Sequence, residues 1–130
     1  RLIDDTYNAN PHSVRAAAKV LAAQTGTQVM VLGDIAELGE AAVSEHQSLG
    51  RTIATTGINV LLCVGEYAPY TVAGAQEISD ISAHAFTDKD SLLQYLQAYL
   101  QAQLAQPCTV LFKGSRSMQM ETIINSLVEE

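Results

Sequence analysis

Short apolar runs of β-type composition take turns with longer runs of helical periodicity along the whole chain, and this alternation limits the fold more than any other feature. Runs at residues 2–4, 28–32, 59–64, 83–86 and 109–112 read as five strands. Between them Val14, Ala17, Ala18, Leu21 and Ala22 recur at three- to four-residue spacing, as do Val43, His46, Leu49, Gly50, Ile53 and Ala54. A weaker, alanine-rich helix is expected at 72–79. The clearest helix runs through Leu92, Leu93, Leu96, Leu100 and Leu104, and a closing one through Met120, Ile123, Ile124 and Leu127. Asn10-Pro11 supplies a cap and a first-turn proline, Asp88 or Asp90 can cap the fourth helix, and Gly26 and Gly57 mark stops.

Strands that alternate with helices of ten or more residues need crossover connections. The expected class is therefore α/β, with a mostly parallel sheet covered on both faces. At 130 residues the chain is long enough for one such domain, burying roughly two-thirds of its unfolded surface. RLIDD opens directly in a strand with no initiator methionine, which reads as a domain cut from a longer chain.

In a parallel sheet every strand end falls on one edge. Here those ends carry Asp4-Asp5, Gly33-Asp34, Gly65-Glu66, Thr87 and Lys113-Gly114, at the carboxyl edge where open α/β sheets bind ligands. The stretch LFKGSRSMQME is the most distinctive, because only seven Lys and Arg occur in the chain and Lys113 and Arg116 are two of them. With Ser115, and with the N–H groups of a helix expected to start immediately afterwards, they form a candidate anion or carboxylate site. Arginine can grip a carboxylate in two parallel bonds, which lysine cannot. The alternative is a serine-capped helix with both cations in solvent.

Asp4-Asp5-Thr6-Tyr7-Asn8-Ala9-Asn10-Pro11 packs polar side chains between a strand and a helix. A carboxylate there can take ribose hydroxyls or a metal-bound water; an Asx-turn with an N-cap accounts for Asn8 and Asn10 but not for the pair Asp5 and Tyr7. Gly33-Asp34-Ile35-Ala36-Glu37-Leu38-Gly39 reads as a shaped loop or a solvated acidic turn, and His46 as a packed histidine or a base. Cys63 and Cys108 lie in apolar runs, and with His12 and His84 they make no metal-ligand spacing, so no metal site is expected. The formal net charge of −7 argues against nucleic acid or an anionic membrane as partner. No run approaches 18 apolar residues, so no membrane insertion is expected, and the location is read as cytoplasmic. A G-x-x-x-x-G-K phosphate loop is absent, leaving no visible means of holding a triphosphate. Two other readings stay open: a phosphoryl receiver module, with Gly65-Glu66 in the acceptor's place, and a non-catalytic α/β interaction domain.

IDDTYNANPHS, VMVLGDIAELGE with His46 and Gly50 downstream, and LFKGSRSMQME together resemble the C-terminal domain of the Mur ligases, in particular their D-alanyl-D-alanine-adding branch. The likeness runs from residue 2 to about 127 and is thinnest between Tyr67 and Ala105. It implies a Rossmann-like three-layer α/β/α domain, residues 1–130, taken from a three-domain cytoplasmic bacterial enzyme. That enzyme joins D-alanyl-D-alanine to UDP-N-acetylmuramoyl-tripeptide through an acyl phosphate during peptidoglycan synthesis. The implied partners are the enzyme's N-terminal and central domains and these two substrates. ATP and the magnesium ion are held mainly by the central domain, so the isolated domain is expected to be inactive. By the same likeness Asp5, Tyr7 and Asn8 fall on the nucleotide side. Asn10, Lys113, Ser115 and Arg116 fall on the dipeptide side, with Lys113 and Arg116 also supporting the chemistry. Asp34, Glu37 and His46 shape loops.

Overall fold

The computed structural model describes residues 1–128. Five strands, β1 (Leu2–Asp5), β2 (Thr27–Gly33), β3 (Val60–Val64), β4 (Ser82–Phe86) and β5 (Cys108–Lys113), form one sheet in the order β1-β5-β2-β3-β4. All four pairings are parallel. Five helices connect and close them: α1 (Pro11–Ala22), α2 (Ala42–Thr55), α3 (Ala68–Ile78), α4 (Lys89–Ala102) and α5 (Glu121–Val128).

The alternation within each strand divides the core in two. Met30, Leu32, Leu61, Cys63 and Leu111 point to one face and pack under Val14, Leu21, Leu49, Ile53 and Ala75 of α1, α2 and α3. Val29, Val31, Leu62, Val110 and Phe112 point to the other and pack under Leu92 and Leu96 of α4 and Ile123 of α5. The result is the Rossmann-like α/β/α sandwich, its central strands apolar on both sides because both faces are covered. On the first face α2 and α3 touch almost backbone to backbone. A side chain at Gly50 would collide with the Thr71 carbonyl, and one at Gly74 with that of Gln47.

Several boundaries differ from the sequence reading. α3 starts at Ala68, four residues early, because Pro69 sits comfortably in a first turn where no N–H is needed. α4 ends at Ala102, so Leu104 lies beyond it and is exposed. Its cap is Asp88, which accepts the Ser91 N–H at 2.7 Å and the Ser91 hydroxyl at 3.1 Å; these bonds hold the Asp88 carboxyl below its ordinary range. The largest shift is at the end. No helix starts behind Lys113-Gly114: a 3-10 turn (Arg116–Met118) comes first, Gln119 follows in the left-handed region, and α5 begins only at Glu121.

Strand order also disposes of the receiver layout, whose order is 2-1-3-4-5. Here β5 lies between β1 and β2, so Asp4-Asp5 and Glu66 end strands three places apart and their carboxylates cannot share a site.

Candidate functional site

The position of β5 creates the site. Its chain leaves toward α5 on one face, while both neighbours, β1 and β2, leave toward α1 and α2 on the other. Adjacent loops that part in this way open a crevice at the carboxyl edge. Two cavities lie there. One of about 480 Å³ is lined by Asn8, Asn10, Ala36, Glu37, Ser115 and Arg116, among others. The second, about 470 Å³, is lined by Asp4, Asp5, Thr6, Tyr7, Arg116 and Glu121. Arg116 borders both.

The KGSR residues do three different things. Leu111 and Lys113 share strand parity, so Lys113 points to the α1 face and is only 2% exposed. Its ammonium meets the Asp5 carboxylate at 3.2 Å and donates to the Asn8 carbonyl at 2.9 Å, which ties the β1–α1 loop to β5. Ser115 is buried as well. Its hydroxyl accepts the Ala36 N–H at 2.6 Å and its own N–H donates to the Asp34 carbonyl at 3.0 Å, which ties the β2–α2 loop to β5. It makes no side-chain cap bond. Arg116 alone is exposed, its guanidinium 5.1 Å from the centre of the Tyr7 ring, itself 77% exposed. The ring attracts the cation electrostatically, and an exposed guanidinium carries five N–H donors that can meet an anion. The alternative of a capped helix with two solvated cations is thus not what the chain builds.

In the β1–α1 loop Asn10 caps α1 reciprocally. Its Oδ1 accepts the Ser13 N–H at 2.8 Å, and its own N–H donates to Ser13 Oγ at 3.0 Å. Asn8 Oδ1 accepts the Ala9 N–H at 2.9 Å. Both asparagines also line the first cavity.

Asp34, Glu37 and His46 belong to the β2–α2 loop and its support. The Asp34 carboxylate accepts the N–H groups of Glu66 and Tyr67 at 2.8 and 3.0 Å, at the start of α3. Gly65 is required beside it: its φ is +126°, and any Cβ would strike that carboxylate. His46 Nε2 accepts the Ile35 N–H at 3.1 Å while Nδ1 lies 2.7 Å from the Ala42 carbonyl. The tautomer that satisfies both carries its proton on Nδ1, so neither nitrogen is left for a substrate. The ring stacks on Tyr67 at 4.7 Å. Glu37 stands at φ +66° on the rim of the first cavity.

No group of three or more His, Cys, Asp or Glu side chains converges to hold a metal among the described residues. Nor is any helix among them long and apolar enough to cross a membrane. One residue of the site went unread in the sequence: Lys89, which grips the turn behind Arg116. Its bond spans 29 residues, and no local pattern signals it.

Known proteins resemble this chain over nearly its whole length. The UDP-N-acetylmuramoyl-tripeptide--D-alanyl-D-alanine ligase of Escherichia coli (strain K12) is 39% identical over 128 residues, covering 98% of this chain and 27% of that protein. The ligase of the same name from Buchnera aphidicola subsp. Acyrthosiphon pisum is 37% identical, covering 99% and 27%. A crystal structure of MurF from Acinetobacter baumannii superposes with a TM-score of 0.93 at 43% identity, covering 99% of this chain and 28% of that one. The chain therefore spans little more than a quarter of the length of these relatives. The family model described as Mur ligase, glutamate ligase domain matches residues 1–116, and the chain belongs to that family.

Proposed function

We propose that this chain is the C-terminal domain of a three-domain, ATP-dependent ligase of the bacterial cytoplasm that joins D-alanyl-D-alanine to UDP-N-acetylmuramoyl-tripeptide in peptidoglycan synthesis. The observation that carries the reading is Arg116, the one exposed cation of the KGSR stretch, set between two cavities at the crevices that flank β5. Relatives that carry this activity by name align over nearly the whole chain.

In such a reaction the tripeptide carboxylate takes the γ-phosphoryl group of ATP to form an acyl phosphate, and ADP leaves. The dipeptide amine attacks the acyl phosphate, and the tetrahedral intermediate expels phosphate to leave the new amide. Magnesium, held mainly by the central domain, would supply charge neutralisation on the phosphates. This chain's residues bind and orient. Arg116 holds the dipeptide carboxylate through its planar fork, with Asn8 and Asn10 lining the same cavity. Asp5 has one oxygen held by Lys113, and its carboxylate is half exposed, so it can accept from the ribose of the nucleotide beside Tyr7. Lys113 and Ser115 serve both substrates from beneath, by fixing the loops that carry those groups. Asp34, Glu37 and His46 shape the wall. Closure of this domain onto the central one excludes water from the acyl phosphate, which would otherwise hydrolyse.

The test is phosphate release by the full-length protein. It should require ATP, the UDP-linked tripeptide and D-alanyl-D-alanine together, and the 130-residue chain alone should release none. Turnover without the dipeptide, or by the isolated chain, would overturn the assignment.

A further inference from the structure

The turn that presents Arg116 is held from behind by a lysine outside the KGSR stretch. Lys89 is the first residue of α4, directly after the Asp88 cap. A cation there sits at the positive end of the helix dipole, an unfavourable place for it. Its ammonium reaches instead to the next connection. It donates to the Met118 carbonyl at 3.0 Å, to the Gln119 carbonyl at 3.4 Å and to Thr122 Oγ1 at 3.1 Å. Three donors meet three acceptors.

Those acceptors lie where the 3-10 turn needs help. The turn is only three residues long, and Gln119 closes it in the left-handed region at φ +49°, a conformation costly for a residue with a Cβ. Gln119 N–H donates to the Arg116 carbonyl at 3.1 Å, so the backbone of the arginine and the carbonyls gripped by Lys89 belong to one closed unit. We propose that Lys89 is a positioning residue for Arg116: it fixes the turn so that the guanidinium stays over Tyr7 at the mouth of both cavities. A fork that must meet a carboxylate in two bonds tolerates little displacement, so losing the brace lowers affinity without removing a ligand contact. The proposal rests on the reading of Arg116 as the dipeptide anchor.

The experiment compares Lys89→Met, Lys89→Arg, Arg116→Lys and the double variant Lys89→Met with Arg116→Lys, all in the full-length enzyme. Lys89→Met should raise the dipeptide KM about three- to tenfold and leave the ATP KM within about twofold, with Lys89→Arg recovering most of the loss. The double variant should be no worse than Arg116→Lys alone, because the brace then has no fork to aim. Thr122→Val removes one acceptor of Lys89, together with the hydroxyl's own bond to the Gln119 carbonyl at 2.9 Å, and should give a milder form of the same signature in a chain that keeps its lysine. A lower Tm with both KM values unchanged would overturn the proposal, as would additive losses in the double variant. If Arg116→Lys moves the dipeptide KM and Lys89→Met does not, the positioning role falls and the anchor stands. If Arg116→Lys leaves the dipeptide KM unchanged, the anchor falls and the positioning role with it.

Discussion

Loops part to opposite faces in two regions of the carboxyl edge, around β5 and between β3 and β4, yet the chain treats the two regions differently. Between β3 and β4 it closes the gap. The ladder runs one bond further, from Gly65 N–H to the Phe86 carbonyl at 3.1 Å, and on the β3 side the next two N–H groups are taken by the Asp34 carboxylate, reaching over from the end of β2. Around β5 the buried groups, Lys113 and Ser115, are spent on holding the neighbouring loops, and Arg116 is left exposed between them. Topology offers a crevice wherever helices diverge. Side chains decide whether it becomes a joint or a binding site.

If this contrast is right, variants in the two regions should fail in different ways. The largest effect is expected where a buried charge loses its partner. Lys113 is buried and Asp5 is half exposed, so the pair is asymmetric. Asp5→Ala strands the ammonium and should cost about 3 kcal/mol, near the low end for breaking a buried pair because the site lies close to water. Lys113→Met leaves a carboxylate that solvent can reach and should cost under about 1 kcal/mol. Urea unfolding of both variants measures the difference. Equal losses would show that Lys113 is hydrated and that the loop is not braced from beneath.

The closed region after β3 gives the next effect. Asp34→Ala removes two charge-assisted bonds and should cost about 1–2 kcal/mol, with no selective change in the KM of any substrate of the full-length enzyme. Cys63 reports on the same place. Burial first, and the Asp34 charge second, push its thiol well above the ordinary range. Because the folded value is raised, its contribution to stability is intact below the unfolded pKa of about 8.5 and declines as pH climbs past that value. In Asp34→Ala the decline should begin at the same unfolded pKa but end at a lower folded one, so that the total alkaline loss is smaller. Alkylation of native Cys63 as fast as that of an unfolded peptide would contradict the burial on which this rests.

How much of this was legible follows from the range of each interaction. The five strands and the faces of their helices lie in local periodicity, and so does the gathering of Asp5, Asp34 and Lys113 at one edge, once the sheet is parallel. Even the burial of Lys113 had a signal, since it shares parity with Leu111 on a strand covered by α1. What local pattern could not carry was strand order, which puts Asp5 beside Lys113 and takes Glu66 away from both. Nor could it carry the delayed start of α5. Ser117-Met118-Gln119-Met120 has helical composition, but Gln119 turns left-handed where Lys89, 30 residues earlier, donates to its carbonyl.

A variant expected to leave stability unchanged bears most directly on the central claim, that Arg116 is the ligand-facing group of the open crevice. Arg116→Lys in the full-length enzyme keeps the charge and loses the fork. The account predicts a dipeptide KM raised about tenfold, roughly 1.4 kcal/mol, with the ATP KM within about twofold and the Tm unmoved. A shift in the ATP KM with the dipeptide KM unchanged would place Arg116 on the nucleotide and contradict the assignment. No shift in either would make the crevice around β5 as closed to ligands as the joint between β3 and β4.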